Sequence, residues 1–195
     1  MKIKYLSVVL FLAFASSSYA EVRLWASADD NNGDFGGRAG LDIHCDTDAN
    51  KPVIANSTTR AFISVNEADE IRDMPANYDI PTDEIIYRAD GETQIADNFA
   101  ALLNAPLAVS IADTPVLMWS GSNSDGSLDE NNCTNWTTSD GGFAGANGQI
   151  NLSEFGFNRG TVNCAYDLAV TMCITYTPPA PAPIRGSASP LKSWE

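Results

Sequence analysis

Asp29, Asp30, Asn32 and Asp34 crowd carboxylate and amide oxygens around Gly33, and hard oxygen donors are what calcium requires. Calcium is therefore the one candidate cofactor. The EF-hand template does not fit, because setting Gly33 at its invariant glycine puts Ala28 at the first ligand and Ala39 at the bidentate one. The turn Ser122–Gly126 fails in the same way. A solvated Asn/Asp/Gly turn whose side chains cap their own backbone is the weightier reading of the cluster. Covalent chemistry is less well supplied. A Ser-His-Asp or Cys-His arrangement needs a positioned imidazole, and the only histidine, His44, adjoins Cys45. Ser189 and Lys192 match Ser-x-x-Lys but lie in a proline-rich stretch where no water-excluding pocket forms. Gly141–Gly148 lacks the strand and helix of a dinucleotide loop. No catalytic residue is expected. A carboxylate pair for glycoside hydrolysis follows from abundance alone among 25 acids, and a secreted glycosidase stays the third reading. Trp119 and Trp136 could stack on a sugar ring, although core packing is the weightier reading of both. Trp136 joins Phe143, Phe155 and Phe157, which sit among glycines in loops, as the candidate ligand-binding set.

These residues have to be placed by a chain of 195 residues carrying 11 basic and 25 acidic side chains. Residues 1–20 read as a secretory signal peptide: Lys2 and Lys4, an apolar stretch from Tyr5 to Ala15, then Ser18 and Ala20 at the -3 and -1 positions of a cleavage site. Its removal leaves a net charge of -16. Such a surface repels polyanions, which excludes nucleic acid and disfavours anionic membranes. An apolar fraction of 44% argues for a folded core, and no segment is long enough for membrane insertion. Expected localisation is secreted, periplasmic or extracellular. Cys45, Cys133, Cys164 and Cys173 enter that oxidising compartment together, which implies disulfides. Three pairings are open, and periodicity leans weakly to the nested one. Zinc is disfavoured, since Cys45 stands far from the other cysteines with one histidine beside it.

Val22–Ser27 alternates like a strand, and a short helix is expected around 38–49. Phe62–Val65 is strand-like, Asn66–Asp73 reads as a short Asn-capped helix, and Glu84–Arg88 as a strand. Ile95, Phe99, Leu102 and Leu103 mark one face of a helix over 94–104. Val116–Ser120 reads as a core strand, residues 121–163 as loop-rich, and Leu168–Tyr176 as the strongest strand. Together these give one α+β domain over 21–176, followed by a Pro-rich flexible tail over 177–195.

Five segments, in order, resemble the endostatin domain, the C-terminal module of certain collagens with a C-type-lectin-like fold. They are Arg38–Cys45 (RAGLDIHC), Arg60–Ser64 (RAFIS), Ile95–Leu103, Met118–Trp136 (MWSGSNSDGSLDENNCTNW) and Asn163–Cys173 (NCAYDLAVTMC). The resemblance spans 35–176 and extends to related bacterial secreted proteins. It implies nested disulfides, Cys45–Cys173 and Cys133–Cys164, on a mixed, mainly antiparallel sheet with short helices and a long loop-rich region. Its collagen members bind heparin through arginine clusters, which this chain lacks, and zinc through N-terminal histidines, which are absent here. The calcium triplets of C-type lectins are also missing; CTNWTTSD (Cys133–Asp140) is only an echo. The expectation is a secreted non-enzymatic recognition or adhesion module that binds an extracellular protein or glycan. A calcium-dependent carbohydrate binder using Asp29–Asp34 is the second reading.

Overall fold

The β-branched run before the tail becomes the axis of the molecule. In the computed structural model, which describes residues 20–104, 106–153 and 156–179, the chain forms β1 (Val22–Asn31), α1 (Gly37–Thr47), β2 (Thr58–Ala61), α2 (Met74–Tyr78), β3 (Ile86–Tyr87), β4 (Gln94–Ala96), α3 (Phe99–Leu102), β5 (Leu117–Trp119), β6 (Ala144–Gln149), β7 (Gly160–Asn163) and β8 (Ala169–Tyr176). The strands make one mixed sheet in the order β4-β3-β1-β8-β5-β6-β7. β1 runs antiparallel along one edge of β8, so β2 and β5 share the other edge end to end.

Every residue of β8 is buried, which explains its near-continuous apolar composition. Val170, Met172, Ile174 and Tyr176 face one core with Val22, Leu24, Phe62 and Phe99. Ala169 and Cys173 face a second core with Trp25, Leu41, Trp119 and Trp136. Thr175 on that second face is paired, accepting from the Trp25 indole at 3.0 Å and lying 3.0 Å from the Thr59 hydroxyl. Such pairing is what lets a polar group be buried at modest cost. Both disulfides of the nested arrangement are present: Cys45–Cys173 ties α1 to β8, and Cys133–Cys164 closes the glycine-rich region.

Several elements differ from the sequence expectation because tertiary pairing overrides local pattern. β1 continues past Ser27 to Asn31 through a bulge: the register slips between Ala26, opposite Met172, and Asp30, opposite Val170. Ser27 fills the gap, its hydroxyl accepting from the Thr171 amide and donating to the Asp29 carbonyl, both at 2.9 Å. Phe62–Val65 lies beyond β2, although the Phe62 amide still bonds Met172. The helix expected over 66–73 is replaced by an Asn66–Asp69 bridge and a 3-10 turn at Ile71–Asp73, with α2 following. Gln94–Ala96 pairs with β3, so the expected 94–104 helix shrinks to Phe99–Leu102, capped by Asn98 accepting from the Ala101 amide at 2.8 Å. The loop-rich region hides β6 and β7. Position 145 of β6 is a glycine because a β-carbon there would sit 2.6 Å from the Trp119 ring.

Arg38 of α1 makes the most heavily bonded side-chain anchor of this half. Its guanidinium grips both Asp69 oxygens, at 2.6 and 3.0 Å, and donates to the Ala61 and Ile63 carbonyls. Tyr78 completes the cluster by donating to Asp69 at 2.9 Å, and burial pushes its hydroxyl up to about 12, so the proton stays available.

Between β5 and β6, Cys133, Thr134, Asn135 and Trp136 take φ of 49, 56, 59 and 62°, a single left-handed turn. The disulfide at its first residue and the buried Trp136 at its last over-determine it. Asn132 adds a cap, accepting from the Asn135 amide at 3.0 Å. For an L-residue this conformation costs roughly 1–2 kcal/mol, most for β-branched side chains. Thr134 is exposed, and glycine meets no such penalty. Thr134→Gly should therefore stabilise the protein by about 1 kcal/mol in urea unfolding; a loss of stability would contradict the turn.

Candidate functional site

Ser27, Ala28 and Asp30 in the β1 bulge open a cleft of about 540 Å³ at the edge of that strand. The cleft thus lies at the bulge, and bulges are common beside binding sites. Ala26, Val116, Ile150 and Val170 contribute apolar surface. One wall is Ala89 and Asp90 just after β3, where the Arg23 guanidinium holds the Ala89 carbonyl at 2.8 Å. The opposite wall is the segment around Ile111–Thr114, pinned by the Ile111 and Ala112 amides donating to the Ile150 carbonyl at 3.0 and 3.1 Å. Asn50, beyond α1, completes the lining.

The rim is charged. Arg88 is committed to it: Nε donates to the Ser110 carbonyl at 2.9 Å, and Nη2 donates to the Ser110 hydroxyl and to Asp113 Oδ1, both at 3.0 Å. Asp90 Oδ2 accepts from the Thr93 hydroxyl at 2.6 Å, and Oδ1 accepts from the Thr93 and Glu92 amides at 2.9 Å. Those bonds stabilise the ionised form and hold the Asp90 carboxyl at about 2. Asp30 is exposed. With three aspartates and one arginine, the rim carries a net negative charge.

Of the residues expected to form the site, Asp30 alone lines this cleft. Trp136 is fully buried, edge-on to Trp119 at 5.5 Å, its indole donating to the Ser64 carbonyl at 2.9 Å. Phe157 is also buried, 5.5 Å from Phe62, so neither belongs to an exposed contact surface. The glycines around Phe157 reflect close packing, with Gly148 allowing the Gly156 carbonyl to approach. Phe143 is exposed, and Phe155 lies outside the described residues. The expected signal peptide, Ala20 excepted, and the expected Pro-rich tail from residue 180 likewise lie outside them.

The Asp29–Asp34 cluster is split between a strand and a turn. Asp29 and Asp30 lie at the bulged end of β1, both exposed. Asn32 Oδ1 accepts from the Asp34 amide at 3.0 Å, and Asp34 Oδ1 from the Gly36 amide at 3.3 Å, the self-capping turn. Gly33 is fixed by the inner disulfide, since a β-carbon there would lie 2.4 Å from Cys133 Sγ. Among the described residues, no group of three or more His, Cys, Asp or Glu side chains is gathered so as to hold a metal ion. Thermal unfolding in calcium and in chelator should give equal midpoints; a calcium-dependent rise would support the calcium reading instead.

Sequence reasoning missed Arg88, Asp90, Asp113 and Asn50. The Asp90–Thr93 turn was legible as a self-capping Asp/Gly motif, but no local signal joins residues 30, 50, 90 and 113.

Fold and cleft together define an α+β domain with one mixed eight-stranded sheet and two disulfides, opened at one strand edge by an acid-rimmed cleft. The chain belongs to the family described as protein of unknown function (DUF1554), matched over residues 28–153, from the β1 bulge to just past β6. No curated protein matches it.

Proposed function

We propose that this chain is a secreted, non-enzymatic recognition module with an endostatin-like, C-type-lectin-like fold, and that the β1-edge cleft is where it takes an extracellular protein or glycan. The observation that carries the reading is the cleft itself, its apolar lining and charged rim built from six separated segments on a disulfide-braced sheet. Two disulfides suit an oxidising compartment, and no helix among the described residues is long and apolar enough to cross a membrane. The nested pairing agrees with what the endostatin resemblance implies.

The chemistry of the rim favours binding over hydrolysis. A glycosidase needs one carboxyl raised so that it can donate a proton. Asp90 is shifted the opposite way, and Asp113 is paired with Arg88 and largely exposed. Water reaches both walls, which weakens any electrostatic stabilisation of a transition state. Assay against polysaccharide, ester and peptide substrates tests this part of the reading: no turnover is expected, and turnover abolished by Asp90→Asn or Asp113→Asn would overturn it.

A further inference from the structure

We propose that the cleft receives a lysine or arginine side chain presented by an extracellular protein, its methylene stem on the small apolar lining and its cationic end among Asp30, Asp90 and Asp113. This rests on the recognition reading above and names the ligand chemistry of that same site. The first argument is charge complementarity. Arg88 is the one cation of the lining and is already bonded to Ser110 and Asp113, whereas the exposed Asp30 carboxylate makes no hydrogen bond or ion pair among the described residues. An incoming cation meets a surplus of carboxylate, on a chain whose overall charge attracts basic partners.

The shape of the lining makes the second argument. Long basic side chains bury their methylenes along apolar surface while the charged end stays hydrated, and Ala26, Ala28, Ala89 and Ala112 offer a narrow aliphatic surface for that stem. A sugar ring instead seeks an aromatic face, and Trp25, the aromatic residue of the lining, is only 2% exposed. Addition of a peptide strand to the β1 edge is also opposed. Asn50 donates to the Ala26 carbonyl at 3.2 Å and Asp48 accepts from the Ala28 amide at 3.0 Å, so side chains already occupy backbone groups an added strand would need.

The test is an amide-resonance NMR titration of the chain from residue 21 at physiological salt. One probe is the capped peptide Gly-Gly-Lys-Gly-Gly; the other carries norleucine in place of lysine. The lysine peptide should shift the amides of Ala28, Ala89, Ala112 and Asp113 and bind about tenfold more tightly than its neutral counterpart. Asp30→Asn with Asp113→Asn should weaken it about tenfold, while Glu67→Gln with Glu130→Gln, an equal charge change away from the cleft, should leave it unchanged. Equal weakening by the two pairs, or equal binding of the two peptides, would overturn the proposal. A neutral oligosaccharide that shifts the cleft amides where the lysine peptide does not would overturn the cation and keep the recognition reading; a cleft that answers to none of these probes would count against both.

Discussion

Cys45→Ala with Cys173→Ala lowers the stability of this fold by about 5 kcal/mol, the larger of the two disulfide losses expected. The bond closes a loop of sequence separation 128, against 31 for Cys133–Cys164. On the chain-entropy account, the longer loop frees more of the unfolded ensemble when cut, so the inner pair is worth about 4 kcal/mol. Native-state effects widen the gap. All four sulfurs are fully buried in the second core, so either loss leaves a void there, but cutting the inner bond also lets the left-handed turn at Cys133–Trp136 relax, returning part of what it costs. In a domain of this size, about 5 kcal/mol corresponds to a fall in midpoint of roughly 10–20 °C. Urea and thermal unfolding of the two double variants check the order. A larger loss from the inner pair would contradict the account of the turn.

The second large effect is at Arg38. Arg38→Ala removes both bonds to Asp69, which is 8% exposed, and leaves the Ala61 and Ile63 carbonyls without their side-chain donor. Breaking one partner of a buried, hydrogen-bonded pair costs about 3–5 kcal/mol, because the other charge is left uncompensated. Arg38→Lys should recover less than half of that, since an ammonium cannot span two carboxylate oxygens and two diverging carbonyls. Adding Asp69→Asn to Arg38→Ala should restore about 1 kcal/mol by removing the stranded charge while keeping an acceptor for Tyr78. If the single and double variants unfold at the same urea concentration, Asp69 is not the group that Arg38 stabilises.

The parts of this molecule written in local pattern were legible before the structure. β8 reads from its β-branched run, and α1 from its apolar spacing, within two residues at each end. What failed has one physical source, contacts between segments distant in sequence. Gln94–Ala96 has helical spacing yet is taken into the sheet by β3. Gly145 and Gly148 look like loop residues and are strand residues crowded by Trp119 and by the Gly156 carbonyl. Asp29 and Asp30 look like part of a turn until Ser27 is seen bridging the bulge to Thr171. The candidate site fared similarly: Asp30 was legible as an acid in a cluster, whereas its partners across the cleft come from three other segments that only the folded sheet brings together.

Recognition through the β1-edge cleft is the central claim, and blocking that cleft tests it most directly. Ala28 is exposed at the bulge and keeps its amide bond to Asp48 whatever its side chain, so Ala28→Trp should fold normally and fill the mouth. Equilibrium binding of the chain from residue 21 and of its Ala28→Trp variant is to be measured against a panel of purified basic secreted proteins at physiological salt. The account predicts that at least one is bound by the unaltered chain and bound about tenfold more weakly by Ala28→Trp. Binding that Ala28→Trp leaves unchanged, or no binding across the panel, would contradict it.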